Sequence, residues 1–167
     1  MPTIPDDREL HRLAMRVGDH LHLLHRRLAT AESCTGGWIA KILTDIPGSS
    51  SWFDRGFITY SNEAKQDMLG VSTEILARDG AVSEACVIAM AEGALDNSRA
   101  DYTVAVSGIA GPGGATVDKP LGLVWLAWAG GGETVADQHV FSGDREAVRR
   151  QAVQEALAGL LARLPAR

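Results

Sequence analysis

Thr30-Ala31-Glu32-Ser33-Cys34-Thr35-Gly36-Gly37 follows a short apolar run and opens onto Trp38-Ile39-Ala40-Lys41-Ile42-Leu43, whose apolar positions 39, 42 and 43 recur at helical spacing. The stretch reads as strand, tight turn, helix. That reading sets Ser33 at a helix N-terminus, where the first backbone N–H groups lack internal partners and the macrodipole favours negative charge. Such a position suits an oxyanion, and Gly36 and Gly37, having no Cβ, let a ligand approach the backbone. The competing reading makes Ser33 or Thr35 a plain helix N-cap, a role both residue types often take.

Upstream, Leu10, Leu13, Ala14, Val17, Leu21, Leu24 and Leu28 follow one helix face, with Asp6 or Asp7 as cap. His11, His22 and His25 fall off that face, and no HExxH accompanies them, so no metal is expected. Downstream, Pro47-Gly48-Ser49-Ser50-Ser51 marks a loop, and Phe53 to Tyr60 reads as a strand ending at the helix caps Ser61 and Asn62. Glu63 to Leu69 forms a short helix closed by Gly70, Ser72 or Thr73 starts another, and Ser83 caps a longer one to about Leu95. Tyr102 to Val106 is a buried-type strand, followed by a glycine-rich loop from Ser107 to Gly114. That loop lacks both the GxGxxG spacing and the GK[ST] ending, so it reads as a general anion nest and not as a dinucleotide or triphosphate site. Leu121 to Ala129 and Thr134 to Phe141 pair as a hairpin across Gly130-Gly131-Gly132, and Asp144 caps the last helix, whose N-terminal Arg145 can face a site.

Strands and helices alternate through most of the chain, which predicts an α/β fold, a three-layer α/β/α sandwich with a mixed sheet. With 167 residues the chain fits one domain, 1–167, able to bury roughly 70% of its unfolded surface. Its net charge of -5 argues against nucleic acid as partner, and no apolar run reaches the length of a membrane span. The start lacks the pattern of a secretory signal, which predicts a cytoplasmic protein with a small-molecule partner. Cys34 and Cys86 stand apart, suggesting neither a disulfide nor a zinc site. A homo-oligomer is compatible with all of this.

Ligands of such folds gather at the carboxyl ends of the strands, where the Ser33 turn, the 60–65 segment and the Ser107 loop should converge. A serine nucleophile needs a base, and the histidines lie in the opening helix or, for His139, within a strand. Lys65 is the better candidate, because the helix dipole favours its neutral form. Bringing a lysine from about 10.4 to the 7–8 useful in a base needs roughly 4 kcal/mol, of which a dipole supplies about 0.3–2, so burial must supply the rest. Tyr60 is placed to pass a proton or to hold the lysine by a hydrogen bond.

Ala31-Glu32-Ser33-Cys34-Thr35-Gly36-Gly37, Pro47-Gly48-Ser49-Ser50, Tyr60-Ser61-Asn62-Glu63-Ala64-Lys65, Gly80-Ala81-Val82-Ser83 and Gly108-Ile109-Ala110-Gly111-Pro112-Gly113-Gly114 occur in the order seen in the CinA C-terminal domain family. The chain resembles the nicotinamide mononucleotide amidohydrolases of that family from about residue 28 to Arg150. The resemblance implies hydrolysis of the carboxamide of nicotinamide mononucleotide to nicotinate mononucleotide and ammonia, within pyridine-nucleotide salvage, with no cofactor and no metal. It implies Ser33 as nucleophile with Tyr60 and Lys65 activating it. Thr35, Gly36 and Gly37 are then expected to hold the oxyanion, with the loop of Ser107, Gly108, Gly111 and Gly113, together with Arg145, binding substrate. Two departures stand out. The family commonly has threonine where this chain has Ser107, and many members carry a large N-terminal domain not seen here, so a stand-alone deamidase is expected. Two rival readings are Cys34 as nucleophile and a non-catalytic nucleotide-binding or regulatory domain on the same fold.

Overall fold

A computed structural model describes residues 3–166. The opening helix α1 (Asp7–Leu24) begins in a capping box, in which the Asp6 side chain accepts from the Glu9 N–H and the Glu9 carboxylate accepts from the Asp6 N–H. It ends four residues short of Leu28, because His25 adopts a left-handed conformation (φ 53°) that terminates the helix. Leu28, expected on the helix face, instead starts strand β1 (Leu28–Glu32).

The rest follows as α2 (Trp38–Thr44), a 3₁₀ turn at Ser49–Ser51, β2 (Phe53–Ile58), α3 (Asn62–Leu69), α4 (Thr73–Arg78), α5 (Glu84–Asp96), β3 (Tyr102–Gly108), β4 (Leu123–Gly130), β5 (Glu133–Val140) and α6 (Arg145–Arg163). Ser61, Ser72, Ser83 and Asp144 each cap the helix that follows by accepting a backbone N–H. Gly70 closes α3 in the left-handed region.

The five strands form one mixed sheet in the order β2-β1-β3-β4-β5, with β2, β1 and β3 parallel and β4 and β5 antiparallel to their neighbours. Helices cover both faces, and the expected three-layer α/β/α sandwich with a mixed sheet is the fold of the chain. On one face Leu28, Val104, Val106, Val124, Leu126 and Trp128 meet α1, α2 and α6. On the other, Ala31, Ala105, Ala127 and Ala129 meet Met90, Val87 and Ala94 of α5 together with Leu69 at the end of α3. Small side chains on this second face fit an α5 seated close against the sheet.

β1 is buried along its whole length and lies between the parallel strands β2 and β3, both of which follow it in the chain. The chain leaves β1 for one side of the sheet and later returns to its other side, so the carboxyl end of β1 is a topological switch point. A crevice opens there, because the connections diverge. No helix among the described residues is long and apolar enough to cross a membrane.

Candidate active site

The crevice is a cleft of about 220 Å³. Ser33 and Cys34 from the β1 turn, Tyr60, Asn62 and Lys65 from the β2–α3 corner, Ala81 and Val82 from the segment before α5, Ser107, Gly108 and Ala110 from the end of β3, and Arg145 from α6 line it. The three expected strand ends thus converge.

At its base, Lys65 is almost fully buried, at 1% exposure, on the first turns of α3. Its Nζ lies 3.0 Å from Ser33 Oγ, 2.9 Å from the Thr59 carbonyl and 3.1 Å from the Tyr60 carbonyl. None of these three partners carries charge, and burial in that setting holds the ammonium below the usual lysine range. The neighbouring thiols do not offset this. Burial pushes Cys34 up to about 12 and Cys86 up to about 11, so both are uncharged near neutrality. A carbonyl oxygen only accepts, so two Nζ–H bonds are committed to Thr59 and Tyr60. The remaining position on nitrogen faces Ser33 Oγ, and in neutral Lys65 that position is the lone pair.

The Tyr60 side chain departs from expectation. The residue is 62% exposed and its phenol accepts a hydrogen bond from Arg145 Nη2 at 3.1 Å, while Lys65 is held by the Tyr60 main-chain carbonyl. The phenol makes no hydrogen bond to Ser33 or Lys65, because the chain turns at Tyr60 and its hydroxyl meets Arg145. Arg145 also donates to the Gly111 carbonyl at 2.8 Å, so it links the rim to the glycine loop. A cavity of about 550 Å³, walled by Gly111, Pro112, Leu121 and Phe141, shares Ala110 and Arg145 with the cleft. Ser107 is buried at the end of β3 and lines the cleft, and Gly113 is exposed and does not line it.

Ser33 is not at the helix N-terminus proper, and neither Ser33 nor Thr35 caps α2. Gly37 is the N-cap residue, at φ 99°, with no side-chain cap of its own. The donors of the first turn are taken by Glu32, whose Oε1 accepts from the Ile39 N–H at 2.8 Å and from Thr35 Oγ1 at 2.7 Å, and whose Oε2 accepts from the Ala40 N–H at 2.9 Å. The Gly36 N–H donates to the Ser33 carbonyl, and Thr35, Gly36 and Gly37 do not line the cleft. They are therefore not brought to the place where an oxyanion would form. The backbone N–H of Cys34 is beside Ser33 and makes no hydrogen bond to another residue among those described.

Sequence reasoning missed Glu32, Asn62 and Arg149. Glu32 and Arg149 act on the turn, as Arg149 donates from Nε to the Cys34 carbonyl at 3.0 Å and from Nη2 to the Thr35 carbonyl at 3.2 Å. The sequence offers both Ser61 and Asn62 as caps of α3. Ser61 takes that role, which leaves Asn62 in the cleft wall. No group of three His, Cys, Asp or Glu among the described residues could hold a metal ion. A larger groove of about 660 Å³ near Trp38, between α1 and α2, contains no nucleophile and base in contact.

Comparison with known proteins bears on what this cleft does. A family model described as the CinA C-terminal domain matches residues 10–164. The chain is 57% identical over 152 residues to the nicotinamide-nucleotide amidohydrolase PncC of Escherichia coli K12, covering 90% of this chain and 92% of that protein. It is 52% identical over 149 residues to the protein of the same name from Pseudomonas putida, covering 89% and 93%. Among solved structures, the competence/damage inducible protein CihA from Agrobacterium tumefaciens superposes with a TM-score of 0.91 at 47% identity, covering 97% of this chain and 98% of that one.

Proposed function

This chain belongs to the CinA C-terminal domain family, and from that premise we propose that it is a nicotinamide-nucleotide amidase, converting nicotinamide mononucleotide and water to nicotinate mononucleotide and ammonia in pyridine-nucleotide salvage. The observation that carries the proposal is the contact of buried Lys65 with Ser33 Oγ, in which two carbonyls fix the lysine and leave one valence for the serine.

In this reading neutral Lys65 takes the Ser33 proton as Oγ attacks the carboxamide carbon. The oxyanion that forms is held by the Cys34 N–H, the donor adjacent to the nucleophile, each preorganised donor being worth about 3–4 kcal/mol. The Lys65 ammonium then gives its proton to the departing nitrogen, releasing ammonia and leaving an ester on Ser33. Water, activated by neutral Lys65, cleaves that ester to the carboxylate product. Arg145 faces the phosphate from the rim, with the adjoining cavity receiving the ribose phosphate.

A non-catalytic nucleotide-binding domain explains the cleft less well. Burying a lysine with no counter-ion disfavours its charged form, and a binding module gains nothing from aiming it at a serine hydroxyl. Ammonia release from nicotinamide mononucleotide by the purified protein, with and without chelator and beside Ser33→Ala, tests the reading. Turnover that survives chelation and vanishes in Ser33→Ala is expected. Loss with EDTA, restored by zinc or manganese, would sink the serine mechanism.

A further inference from the structure

The turn carrying Ser33 is gripped from two sides by residues outside the cleft. Glu32 is fully buried on the sheet face toward α2, and every contact of its carboxylate is a donation to it, including a fourth, from Thr30 Oγ1 at 3.3 Å. It ties the end of β1 to the start of α2 across the turn. Arg149 holds the opposite polarity, taking the carbonyls of Cys34 and Thr35, and its guanidinium carbon lies 5.3 Å from the centre of the Trp38 ring. The Ser33 carbonyl is already closed by the Gly36 N–H. The carbonyls of Ser33, Cys34 and Thr35 and the N–H groups of Gly36, Ile39 and Ala40 are thereby paired, while the Cys34 N–H, next to Ser33, makes no hydrogen bond to another residue among those described.

Resting on the amidase reading, we propose that Glu32 and Arg149 are positioning residues that hold Ser33 Oγ against Lys65 Nζ and fix the Cys34 backbone beside it. A helix cap that served stability alone would need only the Ile39 and Ala40 contacts. Here the same carboxylate also holds the Thr35 hydroxyl within the turn, and the guanidinium closes the carbonyls that would otherwise draw the turn toward solvent. Small displacements of a nucleophile matter, since about 1 Å of misplacement costs about 10²-fold in rate.

The experiment uses the full chain as wild type, Glu32→Gln, Arg149→Lys and Ser33→Ala. Each is melted first, and the kinetics are then read well below its own melting temperature. Two rates are measured: kcat and KM for nicotinamide mononucleotide, and modification of Ser33 by a small sulfonyl fluoride, which needs no nucleotide subsite. We expect both positioning variants to lose about 10²-fold in kcat and in sulfonylation rate while KM stays within about threefold. A merely structural role would lower the melting temperature and leave the folded enzyme's sulfonylation rate at the wild-type value, and that result overturns the proposal. If Glu32→Gln fails to fold, Arg149→Lys decides by the same two readouts. Wild type that is sulfonylated at Ser33, yet releases no ammonia, would defeat the amidase reading while slow variants still upheld this one.

Discussion

Lys65 Nζ reaches Ser33 Oγ at 3.0 Å across 32 positions of sequence, and both of its other contacts are main-chain carbonyls. Main-chain partners cannot be removed by substitution and cannot titrate. The state of the lysine is therefore governed first by burial, which makes its behaviour with pH informative.

The rate of amide hydrolysis should rise with pH through an ionisation below the ordinary lysine range, because only neutral Lys65 can accept the Ser33 proton. Lys65→Arg should be nearly as damaging as Lys65→Met, since a guanidinium does not deprotonate in proteins. A Lys65→Arg enzyme retaining most of the wild-type rate would make Lys65 an electrostatic anchor instead.

The same shift has a stability consequence of definite sign. A lysine depressed in the folded state binds fewer protons there than in the unfolded chain, so unfolding free energy rises with pH between the depressed value and the ordinary one of about 10.4. Below that window the penalty for charging the buried amine is fully present. Melting temperatures of wild type and Lys65→Met measured across pH should therefore converge or cross in favour of wild type as pH increases. Parallel curves would show that the lysine stays charged in the fold.

Ser33→Ala should lose at least about 10³-fold in turnover while Cys34→Ala remains active. Burial holds the Cys34 thiol up at about 12, so iodoacetamide at mildly alkaline pH should leave it unmodified in the folded protein. An inactive, folded Cys34→Ala beside an active Ser33→Ala reverses the assignment.

Arg145→Gln should raise KM for the nucleotide about 10- to 100-fold, the usual loss for a hydrogen bond to a charged group, and should leave hydrolysis of the phosphate-free riboside nearly unchanged. Tyr60→Phe removes only the acceptor that steadies Arg145, so its effect should be smaller and confined to KM. A collapse of kcat in Tyr60→Phe would return the phenol to the proton path.

Thr59 Oγ1 is buried without a hydrogen-bond partner among the described residues, while the Thr59 carbonyl holds Lys65. Thr59→Val keeps the carbonyl and removes the unsatisfied hydroxyl, so activity should persist and the melting temperature should hold or rise. A loss of rate would reveal that the hydroxyl serves the site.

The architecture was legible because its signals are local. Apolar periodicity, Ser and Asp caps, and the strand ends at 33, 60 and 107 follow from neighbours in sequence. The meeting of Lys65 with Ser33 was legible for the same reason, as a lysine at a helix start near a strand end. The side-chain direction of Tyr60 was not, since one residue of turn decides whether a phenol faces the base or the rim. Glu32 escaped notice because its partners, Ile39 and Ala40, become visible only when the turn has folded back over it. A carboxylate immediately before a Ser/Thr and two glycines that open a helix was the available signal. Arg149 gave none, being one of several arginines on a long helix.

The Tyr60–Arg145 contact joins positions 85 apart, and the Arg149–Cys34 contact joins positions 115 apart. Long-range closures of this kind form late, because the chain must lose the entropy of large loops before the contacts reward it. The first half of the polypeptide can thus emerge with Ser33 and Lys65 and still lack a complete cleft, since α6 supplies the last wall through Arg145. Catalytic competence belongs to the completed topology and to no fragment of it, and on refolding from denaturant, turnover should return after the helical signal does.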